Sequence, residues 1–151
     1  ALTKPKYVAA LEVGCSIGVL TRLLAPRCDN LLAIDGSATA IAAARLENDP
    51  NVQFRVATLP KEFPTQPFDL IVLSEVLYYF TRPDLDRVAL SCTETLTPEA
   101  EVILCHWLGE TDYPLTGLEA SERFALKVRP MMPVRAILHD TIYRLERFSA
   151  I

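Results

Sequence analysis

The chain predicts a three-layer α/β fold, with helices covering both faces of a mostly parallel sheet. Three observations carry this. Short apolar runs alternate with helical stripes along most of the length, as in a parallel sheet built from strand-helix units. One of these runs, Phe68 to Leu73, is apolar enough to be buried on both faces. The first run enters the glycine-bearing turn Gly14-Cys15-Ser16-Ile17-Gly18, a short helix follows, and the second run ends in Asp35. That is the opening of a nucleotide-binding, Rossmann-like α/β domain.

The elements follow in order. The first strand covers Val8 to Val13, and the helix after Gly18 runs from Val19 until Pro26 and the polar Arg27-Cys28-Asp29-Asn30 stop it. The second strand is Leu31 to Asp35. Ser37 caps the next helix, whose stripe is Ala38, Ile41, Ala42 and Leu46 and whose end is expected near Asn48-Asp49-Pro50. The third strand is Val52 to Val56; Leu59 to Pro67 holds three prolines and reads as loop in place of a helix. Phe68 to Leu73 is the fourth strand, and Pro83 opens a helix burying Leu85, Val88, Ala89 and Cys92. The fifth strand is Glu101 to Cys105, and Thr116 with Glu119 forms a capping box for a helix through about Val128. Val134 to Leu138 and Ile142 to Phe148, joined by His139-Asp140-Thr141, close the fold as an antiparallel hairpin.

Composition bounds the function. A chain of 151 residues, half of them hydrophobic, is expected to be one domain over residues 1–151 with a substantial core. The net charge of −4, without a Lys/Arg cluster, gives no electrostatic footprint for nucleic acid. The four cysteines lack zinc spacing and no C-x-x-C occurs, so no metal is expected, and Cys92 and Cys105 read as reduced core residues. Neither a signal peptide nor a membrane-spanning stretch is visible, and the expected location is cytoplasmic.

The glycines decide between ligands. A dinucleotide fingerprint counted from Gly14 requires glycines where Ser16 and Val19 stand, and the turn lacks the lysine of a phosphate-binding loop. The looser acid-x-G-x-G-x-G pattern is met by Glu12, Gly14 and Gly18, with the small Ser16 in the middle place. Asp35 lies at the expected distance of about 20 residues from Gly14. S-adenosylmethionine fits this turn, because it offers adenosine and an amino acid but no phosphate to cradle.

Leu11-Glu12-Val13-Gly14-Cys15-Ser16-Ile17-Gly18 with Asp35 resembles the class I S-adenosylmethionine-dependent methyltransferases. Within them, the stretch Phe68 to Tyr79, His106-Trp107 with Asp112-Tyr113-Pro114-Leu115, and the ending Tyr143-Arg144-Leu145 resemble the nodulation protein S group. The resemblance implies S-adenosyl-L-methionine as cofactor and a small polar acceptor, an amino-sugar first, because the group includes an N-methyltransferase of deacetylated chitooligosaccharides. It implies nothing about oligomeric state. Two departures stand out. Members carry helices before the first strand that help cover the cofactor, so an N-terminal portion is expected to be lacking here. The acid that often holds the adenine amino group after the third strand is replaced by Thr58 in Ala57-Thr58-Leu59. A non-catalytic cofactor-binding module serving a partner domain is the alternative.

Residue roles follow from position. Absent side chains at Gly14 and Gly18 let backbone N–H groups approach the methionine carboxylate, with Cys15 and Ser16 supplying small side chains and donors. Glu12 fixes the turn or the methionine ammonium. Asp35, followed by Gly36, suits the two ribose hydroxyls with a bidentate carboxylate. The resemblance implies that Ala57, Thr58 and Leu59 face adenine. Ser74 and Glu75 end the fourth strand at the edge where open α/β sheets bind ligands, placing Glu75 near the methyl group. Glu75 and His106 are the candidate proton acceptors. Tyr78, Tyr79, Trp107 and Tyr113, with Glu110 and Asp112 nearby, are the candidate acceptor-binding residues.

Overall fold

The computed structural model describes residues 1–47 and 49–149. Its seven strands form one sheet in the order β3-β2-β1-β4-β5-β7-β6. They are β1 Tyr7–Val13, β2 Cys28–Asp35, β3 Val52–Val56, β4 Phe68–Ser74, β5 Leu96–Trp107, β6 Val134–His139 and β7 Tyr143–Ser149. The first five run parallel, β7 pairs antiparallel with β5, and β6 pairs antiparallel with β7. The predicted fold class is the observed one. Chain order reverses between β1 and β4, so the loops after β1, β2 and β4 meet at one carboxyl edge.

Two cores lie on opposite faces. One joins Leu11, Val13, Ile71, Leu73, Val102 and Leu104 to Leu85 and Val88 of α3 (Arg82–Glu94) and to Phe124 and Val128 of α4 (Gly117–Val128). The other joins Ala10, Leu31, Ala33, Leu70, Val72 and Ile103 to Leu24 of α1 (Val19–Leu24) and to Ile41 and Ala44 of α2 (Ala38–Ala44). Helix starts follow their caps: Ser37 and Thr81 each accept one backbone N–H, and the Thr116–Glu119 capping box is complete. No helix lies between β3 and β4, as its three prolines predict, and Phe63 from that connection plugs the first core. The expected end of the second helix falls partly on Asn48, outside the described residues; the helix itself stops at Ala44.

Strand boundaries are corrected at two places. β2 begins at Cys28, because the Asn30 amide donates to the Val8 carbonyl and holds the polar stretch against β1. β5 begins at Leu96 and accommodates Pro98 where the pairing jumps from Phe68↔Leu96 to Leu70↔Glu101. Cys92 is buried as expected, whereas Cys105 is only half-buried. No helix among the described residues is long and apolar enough to cross a membrane.

One buried charge lies far from the carboxyl edge. Glu101 accepts hydrogen bonds from the hydroxyls of Thr3 and Tyr7 and pairs with Arg147 at 3.2 Å, joining the start of β1 and the middle of β5 to β7. Burial, and then the hydrogen bond to Glu101, push the Tyr7 phenol up to about 12.

Candidate active site

A cavity of about 420 Å³ opens at the carboxyl edge of β1, β2, β3 and β4. Its walls come from four turns: Gly14 and Ser16, then Asp35 and Gly36, then Ala57, Thr58 and Leu59, then Glu75, Val76, Tyr79 and Phe80. Eight candidate cofactor residues therefore share one cavity, brought there by strands adjacent in the sheet but distant in sequence. Sequence reasoning missed Val76 and Phe80, whose signal was their place directly around the Glu75–Tyr79 turn.

The glycine turn is wound tightly. Gly14 has φ +78°, and a Cβ there would lie 2.7 Å from Cγ2 of Val76, so the position requires glycine twice over. The N–H groups of Gly14 and Cys15 both donate to the Ile34 carbonyl, at 2.8 and 3.0 Å. The Ser16 N–H donates to Oδ2 of Asp35 at 2.9 Å. This corrects the expectation that these donors face a ligand carboxylate: closing the turn uses them. Gly18, at φ +83°, faces away from the cavity and lets α1 approach Ala44 and Phe54.

Asp35 is the polar centre of the cavity. Its Oδ1 accepts the N–H of Ser37 at 2.8 Å while Oδ2 holds Ser16. A carboxylate has about four acceptor positions, so two remain for a ligand. The Thr58 N–H donates to Glu62 at 2.6 Å and its carbonyl accepts the Glu62 N–H at 2.9 Å, which leaves the Thr58 hydroxyl as the local polar group.

Two candidate cofactor residues lie behind the wall. Cys15 is buried, and burial pushes its thiol up to about 12, which removes it as a nucleophile. Glu12 is 2% exposed and accepts the Thr21 hydroxyl at 2.5 Å, tying β1 to α1. Burial pushes its carboxyl up to about 7 despite that bond, with the Asp35 charge adding to the rise. The folded state therefore holds a proton that the unfolded chain releases above 4.5. Stability falls by up to about 3 kcal/mol as pH rises through this window and is flat above it. Glu12→Gln is expected to lack that fall, so its stability relative to the parent is greater at pH 8 than at pH 5, read by urea denaturation at both.

Beyond Glu75 the edge is aromatic. Glu75 adopts φ +55°, and its Oε1 accepts the Trp107 N–H at 2.7 Å while Oε2 accepts the Tyr78 hydroxyl at 2.6 Å. Tyr113 stacks on Tyr78 at 5.4 Å and lies 4.3 Å from Tyr79 between ring centres. Tyr78 is buried, so of the candidate acceptor residues Tyr79 lines the cavity, while Tyr113 and Trp107 stand half-exposed beside it. Ser74 ends β4 just outside the cavity lining.

His106 is a correction. Its side chain is fully buried on the α4 face, because the alternation Val102, Leu104, His106 points inward. Nε2 accepts the Leu77 N–H at 3.2 Å, which places the proton on Nδ1, 3.4 Å from the Ser121 hydroxyl. Burial lowers its pKa to about 4. Its lone pair is engaged by the Leu77 N–H, and its buried side chain lies outside the cavity lining.

The sequence profile of the methyltransferase domain matches residues 10–99, from within β1 into β5. The chain belongs to the methyltransferase-domain family. Similarity extends further along the chain. Nodulation protein S from Sinorhizobium fredii is 32% identical over 97% of this chain, which spans 65% of that relative's length. A candidate methyltransferase from Pseudomonas syringae has a crystal structure with a TM-score of 0.84 and 33% identity, covering 99% of this chain and 91% of that one. The N-methyltransferase NodS from Bradyrhizobium japonicum, solved with S-adenosyl-L-homocysteine, superimposes with a TM-score of 0.80 at 21% identity over 95% of this chain and 78% of that one, a likeness of fold. In this methyltransferase domain the cavity falls where the four carboxyl-edge turns converge.

Proposed function

We propose that this chain binds S-adenosylmethionine in the carboxyl-edge cavity and transfers its methyl group to a small polar acceptor, an amino-sugar amine being the leading case. The observation that carries the reading is Asp35: a carboxylate with two open acceptor positions, facing a glycine turn across one cavity. The ribose diol matches that carboxylate, and Gly14 and Gly36 leave the backbone bare beside it. Thr58 supplies a hydroxyl for the adenine amino group in place of an acid. When bound, the cofactor supplies a methyl group already activated by its sulfonium. The chain aligns the acceptor with that methyl and excludes water, with Tyr79 and Phe80 forming the wall on that side.

The net charge of −4 disfavours a nucleic-acid acceptor, which would meet repulsion instead of counterion release. Acidic and aromatic residues around Trp107–Tyr113 suit a polar amine, and the likeness to nodulation protein S points the same way. Isothermal titration with S-adenosylmethionine and S-adenosylhomocysteine tests the cofactor, and transfer of labelled methyl to small amines, deacetylated chitooligosaccharides and hydroxylated metabolites tests the acceptor. Asp35→Asn is expected to weaken cofactor binding by about 1.5–3 kcal/mol, roughly ten- to a hundredfold. Absence of cofactor binding in the wild type, or preferential methylation of RNA, overturns the assignment.

A further inference from the structure

We propose that Glu75 is a positioning residue that latches the loop after β5 to the turn after β4, and so fixes the aromatic wall on the acceptor side of the cavity. β4 stops at Ser74, which still pairs with Cys105, whereas β5 continues two residues further to Trp107. The Glu75 N–H still donates to the Cys105 carbonyl at 2.9 Å, but the Trp107 N–H then has no strand opposite it on that side. Oε1 of Glu75 takes that N–H at 2.7 Å, standing in for the missing strand carbonyl. A residue in extended conformation would project its side chain out of the sheet; the left-handed φ of +55° turns Glu75 back along it.

The second oxygen completes the latch. Oε2 accepts the Tyr78 hydroxyl at 2.6 Å, and the Tyr78 carbonyl accepts the N–H of Leu115 at 3.3 Å from the far end of the same loop. Tyr113, midway along it, stacks flat on the Tyr78 ring at 8°. His106 ties the turn from below through the Leu77 N–H. One carboxylate thus touches both ends of the seam, and Tyr79, which lines the cavity, packs within it. Each Glu75 oxygen holds one donor from the chain, so the carboxylate is fixed to the wall it braces, and the pH–rate profile below separates this positioning role from proton removal.

Trp107 is the only tryptophan in the chain and makes the latch visible without cofactor or acceptor. Glu75→Gly deletes the carboxylate and suits the left-handed backbone, so it keeps the fold; Glu75→Gln keeps an acceptor for Trp107 and a donor to which the Tyr78 hydroxyl can turn. Expected is a red-shifted Trp107 emission, with acrylamide quenching raised about twofold in Glu75→Gly, and emission near the parent's in Glu75→Gln. Unchanged emission in Glu75→Gly, or equal release in both variants, overturns the latch. The kinetic arm rests on the transfer reading above: kcat/KM in Glu75→Gly falls by up to about a hundredfold, while the pH–rate profile of Glu75→Gln keeps the parent's shape. Loss of an acidic limb in Glu75→Gln overturns the inference in favour of a base. Absence of cofactor binding in the parent fails the transfer reading alone and leaves the emission result standing.

Discussion

Gly14→Val is expected to reduce S-adenosylmethionine affinity by at least about a hundredfold, or about 2.7 kcal/mol, and to destabilise the fold as well. Two costs combine. A left-handed backbone costs an L-residue about 1–2 kcal/mol, and φ at this position is +78°. The new Cβ lies 2.7 Å from Cγ2 and 2.8 Å from Cβ of Val76, and relieving such overpacking costs typically about 1–3 kcal/mol. Relief also has a direction. Val76 lines the cavity beside Glu75, so pushing it away displaces the wall that the ligand needs. Gly36→Ala is the matching control: its Cβ meets only the Ala57 carbonyl, at 3.8 Å, without a positive φ. Titration calorimetry and urea denaturation of both variants separate loss of the cavity from loss of the fold. Equal affinity in Gly14→Val and the parent contradicts this placement of the site.

Arg144→Met is expected to destabilise the protein by about 3–5 kcal/mol, because it strands a buried carboxylate. Glu146 has a fully buried side chain, and Arg144 pairs with it at 2.7 Å while only 11% exposed. The second Arg144 contact, to the exposed Glu122 at 3.9 Å, adds little. Arg144 Nε and Glu146 Oε2 have no hydrogen-bond partner among the described residues, so the pair is imperfectly satisfied even when intact. Replacing both residues therefore costs less than replacing one. The double variant Arg144→Met/Glu146→Leu is expected to recover most of the lost stability, and the cycle gives the coupling directly. A single-variant loss below about 1 kcal/mol would show that water reaches the carboxylate. Arg144 lies opposite His106 across the β5–β7 pairing, so this core charge also supports the strand that ends at the aromatic wall.

Much of this was legible in the sequence, for local reasons. Strand-helix alternation, the caps Ser37 and Thr116, Pro83 in the first helical turn and the closing hairpin are each decided within a few residues. So is the glycine turn with Asp35. Alternation also held a signal that the functional reading of His106 overrode: Val102, Leu104 and His106 share one face of a strand that continues past Cys105. The same rule sets Glu12 on the Ala10 face, away from the cavity. Other features depend on register between distant segments and leave no local trace. Glu101 with Arg147, and the latch from Glu75 to Trp107, exist only once β4, β5 and β7 are aligned. The turn's donors closing on Ile34 belong to that class too, since nothing in Gly14-Cys15-Ser16 says which carbonyl they meet.

The four walls of the cavity carry a consequence for how the molecule reaches its working state. They follow β1, β2, β3 and β4, and the last of them joins the first through the pairing of Val13 with Leu73, about 60 residues apart. Closing so long a loop yields nothing until β4 docks, which makes this pairing a late and slow event in a parallel sheet. A nascent chain holding only the first three strands already presents Asp35 and the glycine turn, yet lacks Val76 and Glu75 behind them. Affinity for a ligand spanning all four turns is therefore reserved for the completed sheet. Any such ligand favours the fully assembled chain over every partly assembled one by mass action.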